Sequence, residues 1–326
     1  MSKKMLVITN RNILSSKEKN SDLIFGEQLS DKGPSEIRLA HASFESKKWK
    51  VSLVPEGKFL EKEKPKIEEF PSYREFIKLL NHCRKENKHC LFYVHGYGKS
   101  FKESLDQGYR LEKKYNIEVV LFSWPSNTGG IPIKEYKNVK RHAITSSTAL
   151  DNIFEKMSEY LKFEFNREKL LECNLTINLM TYSMGNYIFQ RYIEESMYDG
   201  ETNMFSNVIL CQADVDNYNH EYWVNNIQAG KRVYITINEN DKILGWSDAN
   251  FQKDRLGRTA KYLTSKNAIY FDFTGGKNIN NIHQLWYEVD GNDVLDNFFQ
   301  TVFTGGRGES VNGLIFDGAK NSYIFK

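Results

Sequence analysis

Apolar residues in this chain gather into short continuous runs separated by stretches in which they recur at helical spacing. Met5–Thr9 (MLVIT) is the first run, and it reads as a strand. Residues 36–54 alternate loosely and suggest one or two more strands, with Gly33-Pro34 as a turn before them. The charged segment Pro55–Glu69 reads as a surface loop. A helix follows from Pro71-Ser72, since Tyr73, Phe76, Ile77, Leu79 and Leu80 share one face up to Cys83. Further runs lie at Cys90–Val94, Glu118–Ser123, Leu175–Thr181, Phe205–Cys211, Arg232–Ile237 and Ile269–Phe273. They are nearly all apolar, as expected of strands covered on both faces of a parallel sheet. Helical spacing fills the intervals Phe101–Tyr115, Val139–Phe163, Tyr187–Ser196, 220–229 and His283–Phe299. This rhythm predicts an α/β fold, a mostly parallel central sheet with helices on both faces. The tail from Gly305 ends in NSYIF and reads as a last strand or a loosely held terminus.

Composition narrows the class only slightly. At 326 residues the chain can bury one substantial core, and no linker or composition break divides it. We therefore expect a single domain over 1–326, with residues 1–70 as an extension packed on the sheet or completing it. The net charge of +3 gives no global argument for nucleic acid. No apolar run approaches the roughly 20 residues that span a bilayer. The N-terminal apolar stretch ends at Asn10 and Arg11, which suits a strand rather than a signal peptide. Cys83, Cys90, Cys173 and Cys211 lack metal-ligand spacing, and no HExxH or clustered histidine pattern occurs. They read as buried thiols, and a reducing cytoplasm is the expected compartment.

Chemistry in such a sheet gathers beyond the C-terminal strand ends. The polar residues placed there are His95, Ser123, Ser183, Asp214, Asp216, Asp241 and His283. Ser183 follows a buried strand, precedes Gly185 and leads into a helix, which is how a strand–turn–helix elbow exposes a nucleophile. The blander reading is a serine that caps the helix. His283 is the candidate general base, with His95 as its rival. Asp241, after the Arg232–Ile237 strand, is the first choice for the acid that orients the base. Glu239 is its neighbour, and Asp216 or Asp214 is the fallback. The backbone N–H groups of Met184 and Tyr97 are the expected oxyanion donors, and Gly96 and Gly98 let the second loop approach closely. His95 is expected to anchor that loop rather than move protons.

These residues resemble a known family, the bacterial α/β-hydrolases of unknown function (DUF900). The resemblance rests on Val94-His95-Gly96-Tyr97, Phe122-Ser123-Trp124-Pro125-Ser126, Tyr182-Ser183-Met184-Gly185-Asn186 and Asp214-Val215-Asp216, in that order. Asn240-Asp241, Arg255-Leu256-Gly257 and His283 match later elements. It implies an α/β-hydrolase fold and a Ser183–Asp241–His283 triad in a serine hydrolase of the carboxylesterase kind, acting on an ester, with a thioester or amide as alternatives. A small-molecule acyl substrate and no cofactor are implied. Two departures stand out: Tyr182 replaces the usual histidine, and Thr181 replaces alanine or glycine. The competing reading is a catalytically silent scaffold or interaction module on the same fold. Any protein-partner role is expected in the N-terminal 70 residues; these residues do not decide on a homo-oligomer. Tyr97, Trp124, Trp246 and Trp286 could line an apolar pocket, and Asn127–Lys137 and 242–262 are the insertions long enough to cover one.

Overall fold

A computed structural model describes residues 4–14, 23–55, 66–163, 175–196 and 200–326. Its N-terminal part holds β1 (Met5–Thr9), β2 (Arg11–Ile13), β3 (Phe25–Leu29), β4 (Arg38–Glu45) and β5 (Lys48–Leu53). Then follow α1 (Pro71–Glu86), β6 (Cys90–Val94), α2 (Phe101–Tyr115), β7 (Glu118–Ser123) and α3 (Pro132–Lys162). The second half runs through β8 (Ile177–Tyr182), α4 (Gly185–Glu195), β9 (Asn207–Cys211), α5 (Glu221–Val224), β10 (Arg232–Ile237) and α6 (Lys242–Phe251). It closes with β11 (Ala268–Asp272), α7 (Leu285–Glu288), α8 (Asp293–Phe303), β12 (Leu314–Asp317) and β13 (Ser322–Phe325).

One 11-stranded sheet has the order β12-β13-β11-β10-β9-β8-β6-β7-β1-β4-β5, and β2 pairs with β3 in a separate ribbon. All neighbours from β13 to β1 are parallel, whereas β12, β4 and β5 pair antiparallel to their neighbours at the two edges. The runs of apolar residues follow from this arrangement. In β6, Cys90, Phe92 and Val94 enter the core under α1, α3 and α4, while Leu91 and Tyr93 enter the core under α2 and α8. A strand covered on both faces leaves no position for a polar side chain without a partner.

The chain leaves β6 for β7 on one side and returns through α3 to β8 on the other. Neighbouring loops therefore diverge beyond the ends of β6 and β8, and that divergence opens a crevice at the carboxyl edge. The register brings Val94 beside Thr181, so the residues that follow each strand face one another.

Several elements differ from expectation. The spacing over His283–Phe299 predicted one helix, but α7 ends at Glu288 and α8 begins at Asp293. Gly291 with φ +65° turns the chain between them, and Asn292 caps α8 through the N–H of Leu295. The expected helix over 220–229 shortens to α5, and α3 begins earlier than Val139 because Pro132 starts it. The ribbon of β2 and β3 was not foreseen, and Asn10 and Arg11, which end the first apolar run, are buried. The tail forms the β12–β13 hairpin at the sheet edge. Most of the Pro55–Glu69 loop and Cys173 lie outside the described residues. Among the described residues, no helix is long and apolar enough to cross a membrane.

Candidate active site

Ser183 sits directly beyond β8 with φ +54°, a left-handed conformation that costs a residue with a Cβ on the order of 1–3 kcal/mol. The surroundings hold it there. Its N–H donates to Cys211 O at 3.0 Å, and its carbonyl accepts from Asn186 N at 3.1 Å and Asp214 N at 3.2 Å. Asn186 Nδ2 also donates to the carbonyls of Thr181, Ser183 and Cys211, and Thr181 Oγ1 donates back to Asn186 Oδ1 at 2.7 Å. Thr181 is thus a staple of the elbow rather than a source of crowding. Glycine is required at two neighbouring points. A Cβ on Gly185 would stand 2.7 Å from Val94 O and 2.8 Å from His95 O, and one on Gly96 would stand 2.7 Å from Ser183 Cβ.

The late loops meet across this elbow. His283 Nδ1 lies 2.6 Å from Asp241 Oδ2. Asp241 is fully buried, and its Oδ1 accepts the N–H groups of Ile243 and Leu244 at 2.9 and 3.0 Å as the cap of α6. An acceptor carboxylate places the imidazole proton on Nδ1 and leaves Nε2 a bare lone pair. Nε2 is buried and has no hydrogen-bond partner among the described residues. Asn238 ties the two loops together, its Nδ2 donating to Asn280 O at 3.2 Å and Ile282 O at 2.8 Å. Tyr182 packs its ring 5.0 Å from that of His283. It therefore forms part of the wall that orients the imidazole.

Ser183, His283 and Tyr182 open onto one cavity of ≈ 360 Å³, shared with Tyr97, Lys99, Pro132, Tyr136, Asp214, Ile243, Trp246 and Ser247. Pro132 and Tyr136 come from one of the two insertions marked in the sequence, and Ile243, Trp246 and Ser247 come from the other. Trp124 and Trp286 are core residues instead. Ser183 and His283 both line the cavity, and no hydrogen bond joins Ser183 Oγ to His283 Nε2. The N–H groups of Met184 and Tyr97 have no acceptor among the described residues.

The remaining candidates are engaged with partners other than His283. Asp214 accepts from Tyr136 Oη at 2.8 Å and Ser247 Oγ at 2.9 Å, with Arg255 Nε at 3.3 Å. Asp216 pairs with Arg255 Nη1 at 2.5 Å and with Lys253. Glu239 accepts from the N–H of Ala260. His95 stacks on Trp124, accepts its N–H at Nε2 at 3.2 Å, and bonds Gly96 O through Nδ1 at 2.9 Å. Burial, with Arg11 adding a smaller repulsion, drives its pKa down to about 3, so the ring is a neutral anchor for the Gly96–Gly98 turn. No group of three or more His, Cys, Asp or Glu side chains among the described residues could hold a metal ion.

Sequence reading marked Asn186 as part of the elbow motif and Thr181 and Tyr182 as departures from it, but it missed their contacts and the part played by Asn238. The Asn186 contact had a local signal, an asparagine at the first turn of the helix, where side-chain amides reach backbone carbonyls. Asn238 had none, because its partners are forty-odd residues away.

A largely parallel sheet with helices on both faces, a strand–turn–helix elbow at its switch point and acid and histidine loops beyond later strands is the architecture of an α/β hydrolase. The chain belongs to the family described as alpha/beta hydrolases of unknown function (DUF900), which matches residues 73–280. Comparisons with curated proteins and with solved structures gave no match.

Proposed function

We propose that this chain is a serine hydrolase that cleaves a carboxylic ester. The contact that carries the reading is the 2.6 Å approach of His283 Nδ1 to Asp241 Oδ2, which leaves Nε2 without a partner on a residue that lines the same cavity as Ser183. Ser183 Oγ attacks the acyl carbon while His283 Nε2 takes its proton, and the imidazolium is stabilised by the Asp241 carboxylate. The oxyanion is received by the N–H groups of Met184 and Tyr97. Collapse breaks the bond to the alcohol, which leaves with the proton from Nε2, and an acyl-serine remains. Water then attacks with His283 again as base, releasing the acid and restoring Ser183.

The hydrogen bond from Ser183 Oγ to His283 Nε2 forms as substrate binds, since contacts of this kind often tighten only then. The aromatic walls and modest volume suit an apolar acyl group of short to medium length. Buried free thiols at Cys90 and Cys211 suit a reducing compartment, in keeping with a cytoplasmic enzyme. A fluorophosphonate is expected to label the wild type at Ser183 and to leave Ser183→Ala unlabelled. Equal labelling of both would remove Ser183 as nucleophile, and labelling of neither would favour a silent scaffold.

A further inference from the structure

We propose that the N-terminal ribbon is part of the catalytic apparatus, with Arg11 and Glu27 positioning the Tyr97 amide for the oxyanion. The inference rests on the reading of Ser183 and the oxyanion donors given above. Both residues precede the segment that matches the family.

The Arg11 guanidinium is fully buried. Its Nε donates to Ser123 Oγ at 3.0 Å, its Nη1 to Gly26 O at 3.1 Å and to Glu27, and its Nη2 to Lys99 O at 3.0 Å. The other oxygen of Glu27 accepts the N–H of Phe101 at 2.9 Å, at the first residue of α2. One ion pair from β2 and β3 therefore grips the chain at Lys99 and Phe101, on either side of Ser100. Ser126 completes the grip from below: its carbonyl takes the N–H of Gly98 at 2.8 Å, and its hydroxyl takes that of Lys99 at 3.0 Å. The N–H groups of Gly98 and Lys99 and the carbonyl of Lys99 are thus all bonded, while Tyr97, which lines the cavity, keeps an N–H without an acceptor among the described residues.

A buried ion pair contributes little net stability, because desolvation offsets the attraction. What this one supplies is direction. Four acceptors on three separate segments are reached by one planar fork, a geometry that a lysine cannot reproduce. A loosened loop displaces the donor, and a misplacement of about 1 Å costs on the order of 100-fold in rate. Oxyanion contacts exist only in the transition state, so the loss falls on kcat and not on KM.

The test uses the full-length chain with Arg11→Lys and Glu27→Gln, a p-nitrophenyl ester as substrate and an aryl trifluoromethyl ketone as tetrahedral-adduct probe. Glu27 is partly exposed (35%), so Glu27→Gln remains informative should Arg11→Lys fail to fold. Expected are a kcat lower by about 10- to 100-fold, KM within about twofold, and ketone affinity weakened by the same factor as kcat. Amide exchange at Gly98 and Lys99 is expected to quicken in parallel. A kcat within twofold of wild type, or a loss carried by KM alone, in folded variants whose fluorophosphonate labelling still depends on Ser183 overturns the clamp and leaves the hydrolase reading standing. Absence of Ser183-dependent labelling in the wild type overturns both.

Discussion

Asp241 divides its carboxylate between two loads: Oδ2 meets His283 Nδ1 at 2.6 Å, and Oδ1 caps α6 through Ile243 and Leu244. The helix cap fixes the acid, and the acid fixes the imidazole. The two loads are separable by substitution. Asparagine keeps an oxygen for the cap but no longer compels the proton onto Nδ1, so Asp241→Asn is expected to lower kcat by about 10³- to 10⁴-fold with little change in Tm. Asp241→Ala is expected to lose as much activity and, in addition, about 0.5–2 kcal/mol of stability from the missing cap. Steady-state kinetics beside thermal melts check the pair, and equal melting of both variants would contradict the capping role.

His95 predicts an acid limb to the stability profile. Its folded pKa of about 3 lies below the ordinary histidine value of 6.5, so the unfolded chain binds the extra proton between those values. Stability is then full above pH 6.5 and declines as pH falls toward 3, with a slope from this one group of about 1.4 kcal/mol per pH unit. His95→Gln is expected to be less stable at pH 7 and to lose less between pH 6.5 and 4 than the wild type. Urea melts across that range measure the difference, and parallel curves would refute the assignment.

The cavity walls predict acyl preference. Trp246 and Tyr97 flank Tyr136 at 5.8 and 5.6 Å between ring centroids, and all three line the cavity. Trp246 is also partly exposed at 38%, so its removal opens the wall without emptying the core. Trp246→Ala is expected to shift the optimum toward longer acyl chains by raising kcat/KM for them relative to acetate. A truncated wall is worth about 1–3 kcal/mol of discrimination per methylene lost or admitted. A panel of p-nitrophenyl esters of increasing length provides the measurement, and an unchanged profile would place the acyl group elsewhere.

How much of this was legible beforehand depends on the range of each interaction. The strands β6, β7 and β10 and the helix α2 lie where their apolar spacing put them, because burial on both faces imprints a continuous local pattern. Ser183 was legible for the same reason, since strand, turn and helix are consecutive. Asp241 and His283 could be placed on loops, but the contact between them depends on Asn238 reaching Asn280 and Ile282, which no local pattern encodes. Arg11 was opaque. A charged residue after an apolar run reads as the exposed end of a strand, and the acceptors on Gly26, Glu27, Ser123 and Lys99 make its burial tolerable.

The elbow gives the last prediction. Ser183 keeps φ +54° against its own preference, and Asn186 supplies much of the constraint through three carbonyls and one hydroxyl. Removing the amide in Asn186→Ala strands those groups in a buried site, at about 1–3 kcal/mol for an unsatisfied buried group, so Tm is expected to fall clearly. Thr181→Ala removes only one hydrogen bond to Asn186 and is expected to cost about 1 kcal/mol. The chemistry should separate in the same order. With the amide gone, the serine can relax toward an ordinary backbone angle and turn its hydroxyl from the cavity, so Asn186→Ala should react with fluorophosphonate at least tenfold more slowly even well below its melting temperature. Thr181→Ala should react at close to the wild-type rate. If Asn186→Ala were labelled as fast as wild type while melting lower, the staple would be a stability device only, and the angle at Ser183 would be held by the close approach of Gly96 and Gly185 instead.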